Sequence, residues 1–173
     1  GEVVENPSSI VKELIENSID SSASKITIII KKGGHDLIHI IDNGCGMSNN
    51  DLKLAFSRHA TSKLSTVEDV SNIASLGFRG EALPSIASVS RLQIKSSVDD
   101  KSGNILEIEA GQIKNNEKIA CNKGTEIKVK NLFYNTPARK KFLKTPSQEL
   151  RKITKIVKRF LLSNPNVSFR YLS

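Results

Sequence analysis

Between Pro7 and Asp20 the apolar residues Ile10, Val11, Leu14, Ile15 and Ile19 fall within half of a helical wheel. Asn6 supplies a capping side chain before them, and Pro7 suits a first helical position. This predicts an amphipathic helix that ends in the polar run over residues 21–24. From Lys25 the period changes. Residues 25–31 are β-branched and extended, residues 32–36 carry the glycines of a turn, and residues 37–41 return as a second strand. Asp42-Asn43-Gly44-Cys45-Gly46 breaks regular structure. Ser48-x-x-Asp51 opens a short helix through Phe56, and Thr66-x-x-Asp69 opens another through Ala74. A glycine-bounded loop, Gly77-Phe78-Arg79-Gly80, leads into a helix over 81–89. Strands are expected over 91–97, 105–110 and 125–130. Thr145-Pro146-Ser147-Gln148 is a capping box before a long helix with an apolar stripe of Leu150, Ile153, Ile156, Val157, Phe160 and Leu161. Residues 167–172 alternate as a last strand. The later strands follow one another as in a meander. The expected fold is therefore an α/β sandwich, with helices on a mixed, largely antiparallel sheet rather than a doubly wound parallel one.

Composition narrows the class. The 173 residues, 38% hydrophobic and 25% charged, suit one domain with a core and exclude a disordered tail. No apolar run nears the roughly 20 residues of a membrane span, so no membrane partner is expected. The first five residues are acidic and lack an apolar signal segment, which leaves a cytoplasmic or nuclear location as the expectation. Cys45 and Cys121 lie far apart, without a Cys-x-x-Cys or Cys/His cluster, which argues against a zinc site and a disulfide framework. The net charge of +8 is uneven. Between Lys123 and Phe160 twelve lysines and arginines face only Glu126 and Glu149. From charge alone, this block reads equally well as a surface for a polyanion such as DNA and as a solvated basic helix face.

Four constellations carry candidate chemistry. Glu13 and Asn17 stand one turn apart on the first helix, beside its apolar edge. A carboxylate there can deprotonate a water, and a carboxamide oxygen can ligate Mg²⁺; alternatively both are solvated polar residues. Asp42, at a strand end before Gly44 and Gly46, can accept a hydrogen bond from a ligand amine while the glycines admit a flat ring, though ordinary turns share this pattern. Gly77-Phe78-Arg79-Gly80-Glu81 opens a helix and can offer backbone amides to phosphate. Gly124-Thr125 begins a strand and by itself says little. No Walker A loop and no G-x-G-x-x-G between a strand and a helix occurs, which excludes a P-loop and argues against a dinucleotide fold.

The order of these motifs adds what each lacks alone. E-x-x-x-N, then D-x-G-x-G, then GFRGEAL, then GT-x-x-x-V resembles the GHKL ATPases, which include gyrase B subunits, Hsp90 chaperones, sensor histidine kinases and MutL proteins. The stretches GEVVENP, KELIENSID, DNGCG, RHATSK, LGFRGEAL and LFYNTPARKKFL are similar to the MutL family of DNA mismatch-repair proteins, and together they span nearly the whole chain. GFRGEAL and LFYNTPAR set that family apart from the kinases, chaperones and gyrases.

The resemblance implies a Bergerat-type ATP-binding domain over residues 1–173 and assigns roles by position. Glu13 matches the general base and Asn17 the Mg²⁺ ligand. Asp42 matches the carboxylate that reads the adenine amine, with Gly44 and Gly46 beside the base. Residues 58–63 match part of the ATP lid, with Thr61 and Ser62 as nucleotide contacts, while His59 and Lys63 either touch nucleotide or only stabilise the lid. Gly77, Phe78, Arg79, Gly80 and Glu81 match the phosphate loop, and Thr125 the fourth motif. ATP and Mg²⁺ are the implied cofactors. The implied partners are a second protomer, the mismatch-recognition protein MutS, and DNA held through phosphates, for which Arg139, Lys140, Arg151, Lys155 and Lys158 are the candidates. The family's N-terminal arm and S5-like second domain have no counterpart in these residues. Weak nucleotide binding and almost no hydrolysis are therefore expected of the chain alone. Localisation would be cytoplasmic in a bacterium and nuclear in a eukaryote.

Overall fold

The computed structural model describes residues 4–57 and 82–173. The expected lid over 58–63, the helix opened by Thr66 and the loop over 77–81 lie outside the described residues.

The first helix, α1, spans Pro7–Asp20. Asn6 caps it reciprocally: its side chain accepts from the Ser9 amide at 2.9 Å, and the Ser9 hydroxyl accepts from the Asn6 amide at 3.4 Å. Strands β1 (Lys25–Lys31) and β2 (Leu37–Asp42) follow, joined by a 3₁₀ turn at Lys32–Gly34. Helices α2 (Asn49–Ala55) and α3 (Ala82–Ser88) precede a run of four strands: β3 (Arg91–Ser97), β4 (Ser102–Glu109), β5 (Gln112–Ala120) and β6 (Gly124–Lys130). Helices α4 (Pro137–Lys141) and α5 (Pro146–Ser163) and strand β7 (Ser168–Leu172) complete the described chain.

The strands form one seven-stranded sheet in the order β5-β4-β3-β6-β2-β1-β7. Every neighbouring pair is antiparallel except β1 and β7. The sheet is mixed and largely antiparallel, as the meander pattern predicts. Its buried apolar residues share one parity: Ile26, Ile28 and Ile30 on β1, Ile38 and Ile40 on β2, Leu92 and Ile94 on β3, and Ile127 and Val129 on β6. They join Ile10, Val11, Leu14 and Ile15 of α1 and Ile153 and Val157 of α5 in one core. Among the described residues, α1, α2, α3 and α5 contribute to this core on one face of the sheet, and α1 stands over the central strands.

Four features differ from the sequence expectation. Strand β4 starts at Ser102 rather than 105, and β5 was not expected at all. Its side chains are mostly exposed or half-exposed because it is an edge strand, so no apolar alternation marks it. Helix α4 has five residues, none buried, too short for a periodic signal. Leu161, assigned to the apolar stripe of α5, is half exposed; the buried seam runs through Glu149, Ile153 and Val157. Cys45 and Cys121 are both free thiols. Among the described residues, no helix is long and apolar enough to cross a membrane.

Candidate functional site

The register of the three central strands sets a row of side chains at one end of the sheet. Asp42 of β2 pairs with Thr125 of β6, and Thr125 pairs with Ser96 of β3. All three face the helices, and α1 lies over them. Leu14, Asn17, Ser18 and Ser21 recur at helical spacing and form one wall of a pocket. Ile40, Asp42, Met47, Leu83, Ile94, Thr125 and Ile127 form the rest of its described lining. The pocket is thus mainly apolar with a carboxylate at its edge, a composition that suits a flat heteroaromatic ligand.

Asp42 is held from three directions. Its Oδ2 accepts from the Ser18 hydroxyl at 2.6 Å, and its Oδ1 accepts from the amides of Gly44 at 2.9 Å and Thr125 at 3.3 Å. Burial pushes its carboxyl above the usual carboxylate range, and these three hydrogen bonds oppose that rise without cancelling it. Ser96 supports the same row. Its hydroxyl accepts from the Met47 amide at 2.8 Å, donates to the Gly124 carbonyl at 3.0 Å and lies 2.8 Å from the Thr125 hydroxyl.

Close backbone approach explains the glycines. Gly46 has φ +70°, and a Cβ on it would sit 1.9 Å from the Ser97 carbonyl oxygen. A Cβ on Gly44 would lie 2.0 Å from the Ser21 hydroxyl, against the end of α1. The loop after β2 is therefore locked between β3 and α1.

Asn17 lines the pocket, and its Oδ1 is buried without a hydrogen-bond partner. An orphaned carboxamide oxygen is uncommon in a folded protein, and its chemistry suits a hard cation such as Mg²⁺. Glu13 lies one turn earlier on α1 and is half-buried. The structure places Asn17, Asp42 and Thr125 in the pocket lining, Gly44 against the end of α1 and Gly46 against β3, whereas Glu13 stands one turn before Asn17 and is not among the described lining residues. Thr61, Ser62, Gly77, Phe78, Arg79, Gly80 and Glu81 lie outside the described residues. Ser18 and Ser96 were missed, yet each is a polar residue at an inward position of an apolar series, and that mismatch was the available signal.

The basic segment resolves unevenly. Lys140, Arg151, Lys155 and Lys158 are exposed, and Arg151, Lys155 and Lys158 follow one another along the outer face of α5. Arg139 departs from its assignment. Its guanidinium donates to the Val4 carbonyl and lies 4.7 Å above the Phe133 ring, so this half-buried side chain ties the N-terminal segment to the core.

A family model for the histidine kinase-, DNA gyrase B- and HSP90-like ATPases matches residues 5–141. The chain belongs to this ATPase family. As a member of it, the chain is 51% identical over 173 residues to the DNA mismatch repair protein MutL of Caldanaerobacter subterraneus subsp. tengcongensis, covering 99% of this chain and 29% of that protein. It is 50% identical to the protein of the same name from Chlorobaculum tepidum, covering 100% of this chain and 28% of that protein. The chain thus spans less than a third of the curated relatives it matches. Among solved ATPase structures it resembles the Aquifex aeolicus MutL ATPase domain complexed with ADP, with a TM-score of 0.77 and 37% identity over 99% of this chain and 61% of that one. The mixed sheet with helices on one face is the fold these ATPase domains share.

Proposed function

We propose that the chain is the ATP-binding domain of a MutL-type DNA mismatch-repair protein, and that the pocket under α1 holds the adenine of Mg-ATP. The observation that carries this reading is Asp42, a half-buried carboxylate clamped by Ser18, Gly44 and Thr125 at the rim of an apolar pocket. A fixed acceptor of that kind selects an exocyclic amine and disfavours a carbonyl at the same position. Asn17, through its unpartnered Oδ1, would hold Mg²⁺, which would supply neutralisation of charge on the transferred phosphate. Glu13, one turn away, takes the proton of the attacking water. Hydrolysis is slow because the chain contributes one positioned carboxylate and electrostatic stabilisation and little else.

In the whole protein, ATP orders the lid and brings two protomers together, and the assembly works with MutS on DNA. The 173-residue chain alone binds Mg-ATP weakly, stays monomeric and hydrolyses ATP hardly at all. The exposed Lys140, Arg151, Lys155 and Lys158 support a phosphate-directed DNA surface. The test is a pair of measurements. Thermal unfolding of the chain with Mg-ADP should rise in midpoint with ligand concentration. In the full-length protein, Glu13→Ala should keep nucleotide binding and lose about 10²- to 10⁴-fold in turnover. No thermal response, or unchanged turnover, would refute the respective half of this reading.

A further inference from the structure

Phe142 is 87% exposed, the largest exposure of any bulky apolar side chain among the described residues. It sits within two positions of Lys140, Lys141 and Lys144, all exposed. A lone exposed leucine would need no explanation, but an exposed phenylalanine set among cations calls for one.

The backbone holds it outward. The Phe142 amide donates to the Arg139 carbonyl at 3.1 Å, and the Leu143 amide donates to the Lys140 carbonyl at 3.2 Å, closing the end of α4. Leu143 packs against the core, so the next turn of the chain is anchored inward. Lys144 is gripped on both sides. Its amide donates to Glu149 Oε2 at 3.0 Å, and its carbonyl accepts from His35 Nε2 at 2.9 Å. Glu149 is itself only 1% exposed. The segment presenting Phe142 is therefore pinned at Arg139, Leu143 and Lys144, and the ring is offered to solvent from a fixed backbone.

We propose that Phe142 is a stacking platform for an unpaired nucleobase, with Lys140, Lys141 and Lys144 holding the flanking phosphates. An aromatic face between cations is the pairing by which single strands are bound without sequence preference, because every base has a π-face. Duplex DNA offers no free base face, so this site discriminates strandedness rather than sequence. The inference rests on the DNA-binding reading and adds to it a contact that phosphate charge cannot supply. Pre-organisation of the segment lowers the entropy lost on binding.

The experiment uses the full 173-residue chain with a single-stranded oligonucleotide carrying 2-aminopurine and with a duplex of equal length. Phe142→Ala should weaken single-strand binding about 5- to 100-fold and abolish the stacking quench of the 2-aminopurine, with less than about a twofold change for the duplex. Phe142→Trp should restore both affinity and quench. Lys140→Ala paired with Lys155→Ala should weaken both substrates and flatten the salt dependence. If Phe142→Ala binds and quenches like the parent while the lysine pair weakens binding, stacking is overturned and the phosphate surface stands. If Phe142→Ala weakens single strand and duplex equally and Trp does not rescue, Phe142 is structural and stacking is again overturned. If the parent binds neither substrate at low salt, both readings fail.

Discussion

At the end of β2 both oxygens of Asp42 are committed, to Ser18 on one side and to Gly44 and Thr125 on the other. On the outer face of α5, Arg151, Lys155 and Lys158 end in solvent. In the first region each group is fixed by several neighbours, so a misplaced atom leaves a donor unmatched. The second is redundant, since its charges act through a screened field and any one can be lost. Discrimination between ligands belongs to the first kind of site and sequence-tolerant attraction to the second. Arg139 shows how the two can be confused in a sequence, being a cation within the basic block that serves the packed core.

The contrast can be broken first at Asp42. Asp42→Asn keeps an oxygen for the Gly44 and Thr125 amides and can donate its amide to Ser18, so the fold survives. Nucleotide affinity should fall about 100-fold, because the carboxylate's second acceptor is gone. Stability moves the other way. Burial raises the Asp42 pKa in the folded state, so the ionised carboxylate opposes folding above that pKa, and the opposition fades as pH falls through it. Asp42→Asn should therefore unfold at a higher temperature than the parent at neutral pH, with the gap closing on acidification. A parent that loses stability relative to Asp42→Asn as pH falls would reverse the assigned sign.

A second break comes at Ser96. Ser96→Ala leaves the buried Met47 amide without its acceptor and should cost about 1–3 kcal/mol in denaturant unfolding. Nucleotide affinity should fall with it, since Thr125 and Gly124 lose the same support. A neutral Ser96→Ala would show that the strand register holds the row without this hydroxyl.

The two arginine and lysine positions sharpen the comparison further. Arg139→Ala should lower stability by about 1 kcal/mol through the lost ring contact and the freed Val4 carbonyl, while DNA affinity at low salt stays nearly constant. Lys155→Ala should do the reverse on a smaller scale. Its unfolding midpoint should be unchanged within about 0.5 kcal/mol, and the slope of log affinity against log salt should drop by about 0.9. Equal behaviour of the two variants would erase the distinction between them.

Much of this was legible from the sequence where periodicity was strong. Helix α1, its Asn6 cap and strands β1 and β3 fall at the expected residues, because apolar side chains at a clean period of 3.6 or 2 admit one packing face. Strand β5 was not legible, since an edge strand with two wetted faces carries no alternation. Within the site, Asp42, Gly44 and Gly46 could be singled out only through the order of the motifs, since a strand-end carboxylate before two glycines is by itself an ordinary turn pattern. Ser18 and Ser96 left only the weaker signal of a polar residue in an inward apolar series, because their partners, Asp42 for Ser18 and Met47, Gly124 and Thr125 for Ser96, are distant in sequence. The contact of Arg139 with Val4 was not legible either, because the two residues are far apart in sequence.

The central claim of the proposed function is that the pocket under α1 reads an amino-purine through Asp42. Calorimetric titration of the chain with Mg-ADP and with Mg-GDP, at one salt and pH, tests it most directly. The carboxylate accepts from a 6-amino group and repels a 6-oxo group, so ADP should bind at least tenfold more tightly than GDP, and Asp42→Asn should lose that preference. Equal affinity for the two nucleotides, or a preference that persists in Asp42→Asn, would contradict the account.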